Sequence, residues 1–328
     1  MSDRTHIFDV DEPPEVQVHE HTRYHTVMQR CAGLPPLVTA VVHPVDASDI
    51  IFVADAVREN LITPVLVGPE KRIRAAASES GIDLSPWEVI GTAHSYASAE
   101  KGAELASEGK VQSIMKGSLH TDELLAPIVV HDSGLRTGRR LSHSYIIDTA
   151  GYHKWLLVTD AVVNIAPDLC VKADICRNAI DAWNSLSTEK RKPKIAVLAA
   201  VEVINPAMQA TLDAASLCKM VERNQITGCI IDGPLAFDNA VNRDAAGRKG
   251  IVSEVAGDAD ILLTPEIESG NILAKQLTFI SNADAAGIVM GAKVPIVLTS
   301  RADTLRIKLL SCALALLVAD ARRNGRIK

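Results

Sequence analysis

Residues 287–304 read GIVMGAKVPIVLTSRADT, and the fold follows from how this stretch is divided. GIVMG at 287–291 and VPIVLT at 294–299 are too short for buried helices and rich in branched apolar residues, so each reads as a strand. Neither run alternates apolar with polar residues, as expected of strands covered on both faces. The second run ends on Ser300 and Arg301 and leads into LRIKLLSCALALLVADARR, a long helical pattern that Ser300 or Asp303 is placed to start.

The same alternation extends through the chain. Apolar runs occur at 37–43 (LVTAVVH), 64–68 (PVLVG), 195–201 (IAVLAAV), 228–232 (GCIID) and 260–265 (DILLTP), separated by longer helical patterns. This predicts an α/β fold built on a parallel sheet with crossover helices. Asn205 is placed to cap a helix from Pro206 towards Glu222, with Pro206 at its first position. Residues 1–34 carry little periodic apolar pattern, and Pro13, Pro14, Pro35 and Pro36 bracket a His-rich piece, so they read as an irregular extension before the fold proper.

A chain of 328 residues suits two domains. Apolar residues make up 47% of it and aromatic ones only 3%, so Leu, Val, Ile and Ala must fill the core. A net charge of -6 and a pI near 5.9 argue against general nucleic-acid binding. Cys31, Cys170, Cys176, Cys218, Cys229 and Cys312 show no metal-ligand or disulfide spacing and read as reduced, buried side chains. No secretory signal and no membrane-length apolar run is present, which predicts a cytoplasmic protein with no membrane partner.

Between Ile114 and Ile147 lies IMKGSLHTDELLAPIVVHDSGLRTGRRLSHSYII, which gathers Lys116, Arg136, Arg139, Arg140 and His143 around three glycines. Cations concentrated between two strand-like segments of an acidic chain point to a phosphate-bearing ligand. Glycine lets the backbone approach an anion, Lys supplies a point charge, and Arg a planar fork for two oxygens. Lys116 follows a strand-like piece, and Thr121 reads as the cap of the next helix, with Asp122 and Glu123 in its first turn. Arg136, in LRTG, has the small neighbours that leave room for a ligand. Ser300 and Arg301 fall at the carboxyl end of a strand and before a helix, where open α/β sheets bind ligands and helix N–H groups favour anions. Asp160 and Asn164, in TDAVVNIAP, either orient a ligand or tie down a turn before Pro167.

Other chemistries lack their signatures. There is no G-x-G-x-x-G fingerprint, no phosphate-binding P-loop and no G-x-S-x-G elbow. His19, His21 and His25, in HEHTRYH, have no Cys or acidic pair to complete a zinc site, so no metal is expected.

The segments TDAVVNIAPDL (159–169), VEVINPAMQATLDAA (201–215), IDGPLAFDNA (231–240), GDADILLTPEIESGN (257–271) and GAKVPIVLTSRADT (291–304) together resemble one family. It is the phosphate acetyltransferase and phosphate butyryltransferase family, and the likeness is to its butyryl-type branch, over roughly residues 37–320. The resemblance implies acyl transfer between coenzyme A and inorganic phosphate, with CoA as substrate, no permanently bound cofactor, no metal and no covalent acyl-enzyme. It also implies the two-domain α/β architecture of isocitrate and isopropylmalate dehydrogenases, with the active site in the interdomain cleft and a homodimer. On that plan residues 35–145 plus 295–328 form a first, discontinuous domain and 146–294 a second, dimerising one.

The resemblance places Ser300 and Arg301 in the catalytic centre, and Lys116, Arg136, Arg139, His143, Asp160 and Asn164 in substrate binding. In the acetyl branch a carboxylate follows the catalytic Arg by six positions, where this chain has Ile307. Asp303, two residues after Arg301, is the candidate base in its place; the alternative is that Lys116, Arg301 and the helix terminus stabilise the CoA thiolate without one. The missing carboxylate also leaves a second reading, a catalytically silent module that binds acyl-CoA or CoA.

Overall fold

The computed structural model describes residues 22–300 and 302–327. The chain opens on α1 (Thr22–Ala32), then β1 (Leu37–Val42), α2 (Ala47–Arg58), β2 (Ile62–Gly68) and α3 (Glu70–Ser80). β3 (Glu88–Gly91), α4 (Ser95–Ser107), β4 (Ser113–Lys116) and α5 (Thr121–Val129) continue the alternation. β5 (Ser142–Asp148) and β6 (Leu156–Thr159) follow without a helix between them. Next come α6 (Leu169–Leu186), β7 (Lys194–Leu198), α7 (Gln209–Glu222), β8 (Ile230–Leu235), α8 (Phe237–Val241), α9 (Arg243–Arg248) and β9 (Ile261–Leu263). The chain closes with α10 (Ile267–Phe279), β10 (Asp284–Met290), β11 (Ile296–Val297) and α11 (Leu305–Arg323).

These strands form one eleven-stranded sheet in the order β3-β2-β1-β4-β11-β10-β5-β6-β9-β7-β8. Each outer part is parallel, as the apolar runs predict. The centre is not: β10 pairs antiparallel with both β11 and β5, and β5 with β6, so the two parallel halves run in opposite directions. The reason lies in connection length. A parallel pair needs a crossover of about a dozen residues or more, whereas only residues 149–155 join β5 to β6 and 291–295 join β10 to β11. All of β10 and β9 is buried, and all of β1 except Val38, in agreement with the unbroken apolar runs.

α11 packs against β10, α6 and α1, and buries Leu309, Leu310 and the run from Ser311 to Val318. Its cap is neither Ser300 nor Asp303. Thr304 caps it, its hydroxyl accepting from Ile307 N at 3.3 Å, while Ala302 and Asp303 lie in a turn and a bend just before it. Thr304→Ala is expected to lower stability by about 1 kcal/mol, read as a shift of the urea midpoint at unchanged slope. α7 likewise starts at Gln209, later than Pro206: the Asn205 side chain accepts from Ala207 N at 3.0 Å and shapes a turn before the helix. Thr121 is the first residue inside α5 rather than its cap, which is His120.

Part of the expected irregular extension is also ordered. α1 buries Val27 and Cys31 against α11, with Cys31 Sγ 3.6 Å from Ala313 O. Arg23 reaches Asp148 and His153 O, and Arg30 reaches the carbonyls of Leu186 and Ser185. His25 is exposed on this helix, whereas His19 and His21 lie outside the described residues. Among the cysteines, Cys170 and Cys218 depart from expectation, the first exposed and the second half-buried. No helix among the described residues is long and apolar enough to cross a membrane.

Candidate active site

The segment between α5 and β5 holds the three arginines, and it is pinned to the β10–β11 connection. Leu135 is buried and its carbonyl accepts from Lys293 N at 2.9 Å, while the Thr137 hydroxyl donates to Gly291 O at 2.6 Å. Gly291 has a φ of 96°, and a Cβ there would lie 2.5 Å from Arg140 O, so only glycine allows this close approach.

The pinned segment borders a cavity of about 730 Å³. One wall is α5 with Asp122, Leu125 and Val129; the other is Val163 and the first turns of α6, with Cys170 and Asp174. Arg136, Arg139 and Arg140 all line it, but they differ in what they hold. Arg139 pairs with Asp181 at 2.6 Å. The Arg140 side chain lies 3.4 Å from Asn164 Oδ1, and its backbone N–H donates to Asp174 at 3.0 Å. Arg136 is exposed, and its guanidinium has no protein partner among the described residues, which leaves its donors for a ligand.

Asp160 and Asn164 hold the turn that carries Val163 of this wall. One Asp160 oxygen accepts from Val162 N at 2.9 Å and Val163 N at 3.0 Å, and the other from Asn164 N at 3.1 Å and Asn164 Nδ2 at 2.6 Å. Asn164 also donates to Leu141 O at 2.8 Å. Both side chains are buried, and of the two expected uses the geometry shows the turn-holding one.

His143 lies inside the sheet on β5 with no exposed surface and is not among the residues lining this cavity. Burial lowers its pKa to about 4, with Asp160 partly opposing, so the ring is neutral at pH 7. A Cβ at Gly287 would lie 2.8 Å from Leu298 O and 3.0 Å from His143 Nε2, so glycine lets the central strands close around this imidazole. The ring packs edge-on against Tyr145 at 4.5 Å.

Tyr145 was not anticipated, although a strand's two-residue period puts it on the same face as His143. Burial and the charge of Asp303 raise its pKa, which ties it electrostatically to a second group of residues. In that group the Asp303 carboxylate accepts from Ser300 N at 2.6 Å, and Asp303 N donates back to Ser300 O at 3.1 Å. Burial raises the pKa of Asp303 above the usual carboxylate range, against the opposing charges of Lys308, Lys116 and Lys275. Lys116, at the carboxyl end of β4, donates to Gly117 O at 3.3 Å. Ser300 is exposed, and Arg301 lies outside the described residues. Lys116, Ser300 and Asp303 therefore gather in one place, and the three arginines in another. Among the described residues no cluster of three His, Cys, Asp or Glu could hold a metal ion.

The fold and this arrangement define an α/β protein with an arginine-lined cavity, and comparison with known proteins gives its family. Residues 93–316 match the family described as "Phosphate acetyl/butaryl transferase". The chain is 48% identical to a phosphate acetyltransferase of Rhizobium meliloti over 306 residues, covering 93% of this chain and 96% of that protein. It is 42% identical to a phosphate butyryltransferase of Clostridium acetobutylicum over 267 residues, 81% of this chain and 88% of the relative. A branched-chain phosphotransacylase from Enterococcus faecalis V583 superposes with a TM-score of 0.74 at 28% identity, over 86% of this chain and 99% of that one. A 4-hydroxythreonine-4-phosphate dehydrogenase from Klebsiella pneumoniae, at a TM-score of 0.52, 14% identity and 87% and 99% coverage, shares the fold alone. The chain belongs to the phosphate acetyl/butyryl transferase family, with the dehydrogenase-like architecture.

Proposed function

We propose that this chain is a phosphate acyltransferase that moves a short acyl group, acetyl to butyryl, reversibly between coenzyme A and inorganic phosphate. The observation that carries the proposal is the arginine-lined cavity, whose volume of about 730 Å³ falls within the usual range of ligand pockets and whose Arg136 is open to a phosphate. The names of the relatives favour the same reaction.

In the direction of CoA acylation, the CoA thiol gives up its proton and the thiolate attacks the carbonyl carbon of the acyl phosphate. The bond from that carbon to the phosphate oxygen breaks, and inorganic phosphate leaves with the electron pair. Asp303 is the proton acceptor, because a carboxylate with a raised pKa is better matched to a thiol than an ordinary one. Arg301 and Lys116 hold the phosphate and acyl oxygens, and Ser300 steadies the developing charge. Arg136, in the arginine-lined cavity, binds a phosphate group of a substrate, with Arg139 and Arg140 beside it; His143, Asp160 and Asn164 act by holding the surrounding structure. CoA is a substrate, not a resident cofactor.

The two-domain division at 35–145 plus 295–328 and 146–294 is supported by the strand order, with β1 to β4 and β11 contiguous at one side and β6 to β9 at the other. On this reading the site lies in the cleft between the domains. A cytoplasmic homodimer built through the second domain is supported by β8, an edge strand, and by the exposed Val203, Ile204 and Val252.

Thiol release from acetyl-, propionyl- and butyryl-CoA, with and without phosphate, tests the proposal. Phosphate-dependent release is expected, ranked by chain length and lost in Arg301→Ala. CoA binding without release from any of the three would replace the enzyme with the silent module.

A further inference from the structure

Every residue of β5 is buried except Tyr145, which is half-buried. An opening in the middle of a covered sheet needs a cause, and the packing on β10 supplies it. Ala286, Ile288 and Met290 face the core that α11 and α6 cover, so Ala285, Gly287 and Val289 point the other way. On that second face Ala285 belongs to one apolar cluster, with Ile147, Val158 and Ile307, and Val289 to another, with Ile296 and Leu298. Gly287 stands between them and has no side chain to join the two. Tyr145 lies directly opposite Gly287 in the register of β5 and β10, and residues opposite each other in an antiparallel pair share a face. Tyr145 therefore forms the floor of the seam between the two clusters.

The segment that carries Ser300 and Asp303 passes over this floor. A Cβ at Gly287 would lie 2.8 Å from Leu298 O, closer than side chains pack, so the backbone just before Ser300 crosses the face on which the Tyr145 ring lies. Ile307, in the first turn of α11 after Asp303, packs into the cluster that Tyr145 borders. His143 steadies the ring edge-on at 4.5 Å, and the Tyr145 hydroxyl makes no hydrogen bond among the described residues. The influence of the Asp303 charge on the phenol agrees with this placement.

We infer that Tyr145 sets the length of acyl chain that the site accepts, its ring closing the floor beside Ser300 and Asp303 so that the chain beyond the acyl carbonyl ends against it. The inference rests on the proposed acyl transfer. With Ser300 and Arg301 at the reacting carbonyl, the apolar part of the acyl group needs an apolar surface next to them. The half-buried ring offers one, with Val158 beside it on β6 and Ile307 in the same cluster. The ring also fills space that further methylenes would need, so a smaller side chain at this position lengthens the pocket.

Phosphate-dependent thiol release from acetyl-, butyryl- and hexanoyl-CoA by the full chain tests this, read as kcat/KM for each substrate. Tyr145→Val, branched and suited to a strand, is expected to raise the butyryl-to-acetyl ratio about tenfold or more, since one methylene carries roughly 10- to 200-fold discrimination. The hexanoyl-to-acetyl ratio should rise further. Tyr145→Phe keeps the ring and should leave both ratios within about twofold of wild type. If Tyr145→Val lowers the melting temperature, Tyr145→Leu replaces it, and a rise in the same direction is expected. A folded valine or leucine variant with unchanged ratios, whether its rates fall equally on all three substrates or stay as they were, would overturn the inference. So would ratios moved as far by Tyr145→Phe as by Tyr145→Val, because the hydroxyl and not the bulk of the ring would then discriminate. A wild-type chain that releases no thiol from any substrate would end the acyl-transfer reading, and this inference with it, before any variant is compared.

Discussion

Asp303→Asn is expected to lower kcat by about 10²- to 10⁴-fold, the range for removing a positioned proton acceptor. An alkyl thiol is only a few per cent ionised at neutral pH, so some group must take its proton. Asp303 is held in place by the Ser300 amide at 2.6 Å, and its charge is felt by Tyr145 and opposed by lysines on three elements. Because burial raises its folded-state pKa, the wild-type rate should fall with acid at a pH above the ordinary carboxylate range, as the base becomes protonated. Asparagine keeps the size and an acceptor for Ser300 N–H but cannot take a proton, so the variant should lose both the rate and that acid limb. A pH profile of kcat for the two proteins decides the matter. An asparagine variant with near wild-type kcat and an unchanged acid limb would remove Asp303 as the base and leave stabilisation of the thiolate by Lys116 and Arg301.

Asp160→Ala is expected to cost about 3 kcal/mol or more of stability. The Asp160 carboxylate is 2% exposed and is the acceptor for three backbone amides and the Asn164 side chain. Alanine would leave these donors bare, and buried donors without acceptors account for many of the largest single-site losses. Urea unfolding measures the effect. A fully stable variant with a raised KM would instead assign Asp160 to substrate contact and reverse the structural role that its geometry gives it.

The legibility of the site follows the same division between local and distant causes. Arg136 was readable because small residues flank it in the sequence, and it is the arginine that the fold leaves open. Arg139 was not separable from it, since Asp181 lies 42 positions away and only the packing of α6 brings it within 2.6 Å. His143 looked like an available donor in LSHSY, but its strand is covered on both sides, and burial is a property of neighbours contributed by β10 and β6. The caps show the same limit at short range. Thr304, Ser300 and Asp303 are all good caps by type, and the back-bond from the Asp303 carboxylate to Ser300 N removes it from the competition.

From the sequence by itself came the α/β class, most of the strands, the family and the residues from which a site is drawn. Each rests on short-range pattern or on ordered motifs, and period and composition act locally along the chain. Tertiary structure alone decided how those residues are placed: that the two half-sheets run in opposite directions, that Asp160 and His143 are buried and absent from the lining of the arginine cavity, and that Arg30 reaches the end of α6. Burial and pairing are set by segments more than a hundred positions apart, such as Arg30 with the end of α6, and that proximity exists only once the chain has closed its core.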